Sequence, residues 1–112
     1  MKFRKNKYNN KRLTIEGVTF DSKREYTRWC TLQLLERSGE IQDLQRQVKF
    51  DLIPTLKHNG ETLRKITYSA DFTYTEKGIK IIEDSKGFAT DVFKLKLRMM
   101  LIKYHEYEFR VT

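Results

Sequence analysis

This chain of 112 residues has one cysteine and two histidines, and that scarcity closes off several chemistries. Cys30 cannot form an internal disulfide, so the sequence points to a reducing cytoplasm. His58 and His105 stand apart, which excludes a Cys/His metal site and leaves the serines with no base to activate them. Long apolar runs are missing too. Met99-Met100-Leu101-Ile102 falls far short of the roughly 20 residues that span a bilayer, which predicts no membrane partner. The N-terminus is polar and basic without an apolar stretch behind it, which predicts no secretory signal. Acids are absent from residues 1–12.

Those twelve residues instead hold Lys2, Arg4, Lys5, Lys7, Lys11 and Arg12, six of the eight net positive charges. Interspersed with Phe3, Tyr8 and three asparagines, they read as a flexible basic arm suited to a phosphate backbone. A solubilising tail is the plainer reading of the same composition. Residues 13–112 read as a single soluble domain, with 38% hydrophobic and 34% charged residues over the whole chain.

The order of elements follows from turn and cap signals. Leu13-Thr14-Ile15 and Val18-Thr19-Phe20 flank Glu16-Gly17 as a small hairpin. Ser22-Lys23-Arg24-Glu25 matches a capping box and opens a helix that ends at Ser38-Gly39. Val48, Phe50 and Leu52 alternate with polar residues in a strand running to about Pro54. A turn at 58–61 predicts an antiparallel strand over about 63–75, and Glu76-Lys77-Gly78 leads into a third over 79–86. Thr90-Asp91 caps a second helix over about 91–104, with Val92, Phe93, Leu95, Leu97, Met99 and Ile102 as buried candidates. A short strand, 107–111, closes the chain. Helix, three-strand meander, helix, strand describes an α/β sandwich, and the final helical crossover predicts a mixed sheet.

Charge concentrates at two strand ends. Asp71 follows Tyr68-Ser69-Ala70, and Glu83-Asp84-Ser85-Lys86 closes the next strand. By strand parity Asp71 groups with Thr67, Ser69 and Thr73, while Ile66, Tyr68, Ala70, Phe72 and Tyr74 take the other side. Asp84 and Lys86 project together, whereas Glu83 points opposite and reads as an ion-pair partner or auxiliary ligand. Two acids in one polar groove offer hard oxygen ligands for Mg²⁺ or Mn²⁺. A neighbouring lysine can orient or deprotonate a water, or stabilise charge growing on a phosphate. Glu25 lies within about 40° of Trp29, Leu32 and Glu36 on a helical wheel, so it faces inward and needs a partner. Gln47 is a supporting candidate that can bond to water at a metal. Lys94, Lys96 and Arg98 form a candidate phosphate-contacting ridge.

Helix-borne Glu25, then Asp71, then Asp84-Ser85-Lys86 resembles the PD-(D/E)xK, or restriction-endonuclease-like, nuclease superfamily. More narrowly, the chain is similar to a family of small phage and prophage proteins within it. The stretches concerned are Thr19 to Glu25, Tyr68 to Phe72, and Glu83 to Gly87 with Thr90-Asp91. Ala70 stands where the motif's name has proline, and the second helix lacks the Gln-x-x-x-Tyr of the RecB-like branch.

The resemblance implies a restriction-endonuclease-like αβββαβ core, preceded here by the hairpin and the basic arm. It implies Asp71 and Asp84 as metal ligands, the Ser85 backbone carbonyl as another, Lys86 as catalytic lysine and Glu25 as ligand or organiser. The expected function is a Mg²⁺- or Mn²⁺-dependent DNA endonuclease, acting on branched DNA such as a Holliday junction in phage recombination or replication. A homodimer would be needed for two symmetric cuts, within a bacterial host's cytoplasm. The alternative is a non-catalytic DNA-binding module on a nuclease fold.

Overall fold

Three tight turns set the strand pairings. In each, a residue in the left-handed region precedes a glycine with φ near +80°: Glu16-Gly17, Asn59-Gly60 and Lys77-Gly78. Two successive positive φ values match the twist of paired strands, which is why glycine holds the second position. The computed structural model describes residues 12–85 and 90–112. Lys2, Arg4, Lys5, Lys7, Lys11 and Lys86 therefore lie outside the described residues.

A hairpin of β1 (Leu13–Ile15) and β2 (Val18–Phe20) leads into helix α1 (Lys23–Arg37). Strand β3 (Gln42–Ile53) follows, then a second hairpin of β4 (Leu56–His58) and β5 (Glu61–Leu63). Strands β6 (Ile66–Glu76) and β7 (Ile79–Asp84), helix α2 (Asp91–Lys103) and strand β8 (Glu108–Val111) complete the chain. The main sheet runs β3-β6-β7-β8. Its first three strands are antiparallel, and β8 joins β7 in parallel after the α2 crossover. The molecule is a mixed α/β fold with a mixed sheet between helices, as the order of elements predicts.

Two details differ from the sequence reading. The strand expected over 63–75 is divided, because Leu63 pairs with Leu56 in a separate hairpin and β6 begins only at Ile66. Helix α2 buries Met100 and packs Phe93 and Met99, yet Val92 is 62% and Ile102 79% exposed, and Leu95 is exposed as well. Apolar residues surround this helix, and only the strip facing the sheet is covered.

The core has two halves, one on each side of the sheet. Phe50, Leu52, Tyr68, Ala70 and Ile82 pack against α2, whereas Phe72, Tyr74, Ile81 and Ile41 pack against Leu32 of α1. The apolar stripe of β6 is thus not one face: Tyr68 and Ala70 serve one side, Phe72 and Tyr74 the other. Strand β3 reverses at the same level. Val48 and Phe50 face α2, while Leu44 packs on the α1 side and Arg46 lies over Phe20, 4.4 Å from the ring centre. Between them stands Gln47, with φ of +55°. A left-handed residue interrupts the period-two alternation, so side chains beyond it emerge on the other face. By register the position opposite Gln47 is Asp71. Asp71 sits at the reversal rather than on a continuous polar stripe with Thr67, Ser69 and Thr73.

Candidate active site

The β6–β7 ladder runs from Glu76 and Ile79 to Phe72 and Glu83, and there it stops. The next positions in register are Asp71 and Asp84. Instead of ladder bonds, the Asp71 backbone N–H donates to Asp84 Oδ1 at 2.9 Å. The Ser85 backbone N–H in turn donates to Asp71 Oδ2 at 2.8 Å. Each carboxylate is therefore gripped by the other residue's strand, with Asp71 7% and Asp84 1% exposed. Buried carboxylates need partners, and here backbone N–H groups supply them where the two strands part.

Helix α1 brings a third acid, Glu25, which is 2% exposed. Ser22 caps the helix by accepting from the Glu25 backbone N–H at 3.1 Å. The Glu25 carboxylate reaches back to the Asp21 N–H at 3.0 Å, one residue beyond the usual box partner. Its other oxygen turns toward the sheet, where the Gln47 side-chain amide donates to it at 2.7 Å. The same amide lies 3.5 Å from Asp71 Oδ1, while its carbonyl accepts from Ser69 Oγ at 3.3 Å. Gln47 thus ties Glu25 to Asp71. Burial, then the nearby Asp71 charge, push the Glu25 carboxyl above its usual range, against the lowering pull of Asp21 N–H and Gln47. Arg46 Nη2 lies 3.4 Å from the same Glu25 oxygen.

Glu83 lies on the far side of β7 from this cluster, fully buried. Arg28 meets it through Nε at 2.5 Å and Nη2 at 3.0 Å, and the Tyr74 hydroxyl donates at 2.5 Å. Burial and the carboxylate it donates to push the Tyr74 hydroxyl up to about 12. All three acceptor contacts go to structure, so Glu83 holds α1 against β7.

The structure brings Glu25, Gln47, Asp71, Asp84 and Ser85 together. Arg12 is elsewhere, 3.9 Å from Asp21 on an exposed surface. Lys94 and Arg98 are exposed on α2, and Lys96 is half-buried. Among the described residues, no group of three or more His, Cys, Asp or Glu side chains is arranged to hold a metal ion. A cavity of about 260 Å³ at the other end of the sheet, bordered by Asp43, Thr73, Lys80 and Tyr107, includes none of the clustered residues. Sequence reading missed Arg28 and Arg46. Arg28 had a signal, one turn after inward-facing Glu25; Arg46 had none, because its partners come from distant elements.

Among the described residues, no helix is long and apolar enough to cross a membrane. Residues 5–112 match a family profile described as a protein of unknown function, DUF1064. No curated protein and no solved structure matches the chain.

Proposed function

The chain belongs to the DUF1064 family, and we propose that it is a Mg²⁺- or Mn²⁺-dependent DNA endonuclease with a restriction-endonuclease-like core. One observation carries the reading: the reciprocal clamp that holds Asp71 and Asp84 buried side by side where β6 and β7 part. The α1-β3-β6-β7-α2-β8 order around that clamp supports the fold assignment.

The donor set suits a hard divalent cation. Mg²⁺ is commonly held by one or two carboxylates, with water and substrate phosphate completing its shell, so a closed protein cage is not required. Asp71 and Asp84 would hold the ion, with the Ser85 carbonyl as a further ligand and Glu25 as its organiser. When bound, the ion supplies positive charge for a phosphoryl oxygen and makes the attacking water more acidic. The backbone N–H groups of Asp71 and Ser85 fix one oxygen on each carboxylate, which orients both acids before substrate arrives. Gln47 keeps Glu25 beside Asp71. Lys86 enters from the sequence alone, two residues past Asp84, as the group that orients the water or steadies charge on the phosphate.

The substrate proposed is branched DNA of the Holliday-junction kind, cut by a homodimer during phage recombination or replication. Supercoiled plasmid and a labelled four-way junction, each with Mg²⁺, Mn²⁺ or EDTA, test the reading. Metal-dependent cleavage is expected, and Asp84→Ala or Asp71→Ala should lower it at least about a thousandfold, equivalent to about 4 kcal/mol. Unchanged cleavage in those variants would sink the site. Binding of DNA without cleavage of any substrate would favour the non-catalytic module instead.

A further inference from the structure

Beside the acidic cluster lies a groove of about 470 Å³, bordered by Lys23, Arg24, Thr27, Arg28, Thr31 and Ser85. Resting on the nuclease reading, we propose that this groove binds a phosphodiester of the DNA strand next to the one cut, and so sets the strand's path across the site.

The sequence of α1 supports this. Lys23, Thr27 and Thr31 recur every fourth residue, and Arg24 and Arg28 run alongside, giving one continuous cationic and hydroxylic face. Lys23 and Arg24 occupy the first turn of the helix, where the macrodipole is positive and cations are unfavourable by a few tenths of a kcal/mol or more. Both are exposed, and neither has an ion pair among the described residues. Stability does not account for two such cations in that place; attraction of an anion does.

Ser85 connects the groove to the acids. Its backbone N–H holds Asp71, while its Oγ is shielded from water and has no partner among the described residues. A buried hydroxyl without a partner is costly, and Ser85 is the lining residue that joins the groove to the Asp71 clamp. No Asp or Glu side chain borders the groove, whose lining also includes Thr112, and Arg28 already neutralises Glu83 behind it. Lys23, Arg24 and the Thr27 hydroxyl provide the mixture of charge and a short donor that grips backbone phosphates without reading bases.

Fluorescence anisotropy with a labelled duplex and a four-way junction, in EDTA and over a range of NaCl, provides the test. The Lys23→Ala/Arg24→Ala double variant should weaken binding about tenfold or more and reduce the slope of log K against log salt by about two. Thr27→Val should weaken binding with the slope nearly unchanged. As a charge-matched control, Lys57→Ala/Arg64→Ala alters cations on and just after the β4–β5 hairpin and should have the smaller effect. Affinity and slope as in the wild type for the Lys23/Arg24 variant, or losses equal to the control's, would overturn the groove. Displacement of DNA by millimolar inorganic phosphate equally in wild type and the double variant would also overturn it, since the displaced contact would lie elsewhere. Plasmid cleavage by the wild type is scored separately. Cleavage with an indifferent groove defeats this inference alone; a sensitive groove without any cleavage defeats the nuclease reading alone.

Discussion

Among single residues, Glu25 carries the most informative conflict. Its position suits a helix cap, and its carboxylate does reach the Asp21 N–H, but its second oxygen is turned into a site already holding Asp71. The raised carboxyl that results has a consequence for stability. Folding disfavours its charged form, so the stability tied to the neutral form is present below the ordinary glutamate range and lost as pH rises through the raised value. Glu25→Gln does not titrate and escapes that loss. In EDTA, the melting temperature of Glu25→Gln relative to wild type should climb as pH increases from about 4 to 7. Circular dichroism melts at four pH values would show it; a flat difference would mean Glu25 titrates normally. Glu83 makes the contrast. Also a glutamate and more deeply buried, it is matched by Arg28 and Tyr74, so its charge is used up in holding α1 to β7.

Elements explain what the sequence could and could not disclose. Capping at Ser22 and Thr90 and the three glycine turns are local, each written in two to four adjacent residues, and are legible in the sequence, whereas the separate β4–β5 hairpin is not. The face reversal at Gln47 and Asp71 was not. Alternation in Tyr68-Ser69-Ala70-Asp71-Phe72 continues unbroken, yet Phe72 packs on the α1 side, at the level where β3 carries the left-handed Gln47. From sequence Gln47 reads only as a residue supporting a metal-bound water, whereas in the structure it joins two acids from different elements. Helix α2 misled in the opposite way, because its apolar residues outnumber the positions the sheet can cover. The strain at Gln47 is testable. Gln47→Gly and Gln47→Ala both lose the amide, but glycine tolerates φ of +55° where alanine does not. The glycine variant should be more stable than the alanine variant by about 1 kcal/mol, or about 4–8 °C in melting temperature for a domain of this size. Equal melting temperatures would show that the backbone relaxes once the side chain is gone. Both variants should lose cleavage alike, since the link between Glu25 and Asp71 is cut in each.

At the scale of the whole molecule the charge is divided. Residues 1–12 hold six of the eight net positive charges, while the acids that form the cluster come from α1, β6 and β7. A negative centre on a nearly balanced domain repels a polyanion unless cations lie on the approach. On the proposed function, the face of α1 bearing Lys23 and Arg24 would supply that locally, and the six cations of residues 1–12 would add to it through their charge. The two contributions differ in what they should do to binding. Each phosphate neutralised lowers log K against log salt by about 0.9, so six cations acting together would contribute a slope of about five. Removing residues 1–12 should therefore weaken duplex binding at low salt and flatten the salt dependence by up to that amount. The cleavage rate at saturating DNA should stay nearly constant, because none of the clustered acids is touched. Anisotropy titrations between about 50 and 200 mM NaCl, paired with single-turnover cleavage, separate these effects. If neither affinity nor slope changes, the segment does not follow the phosphate backbone and acts only to keep the chain soluble. If the single-turnover rate falls as steeply as affinity does, those cations act at the cut phosphate itself, and the groove along α1 is not the only positive surface that positions the strand.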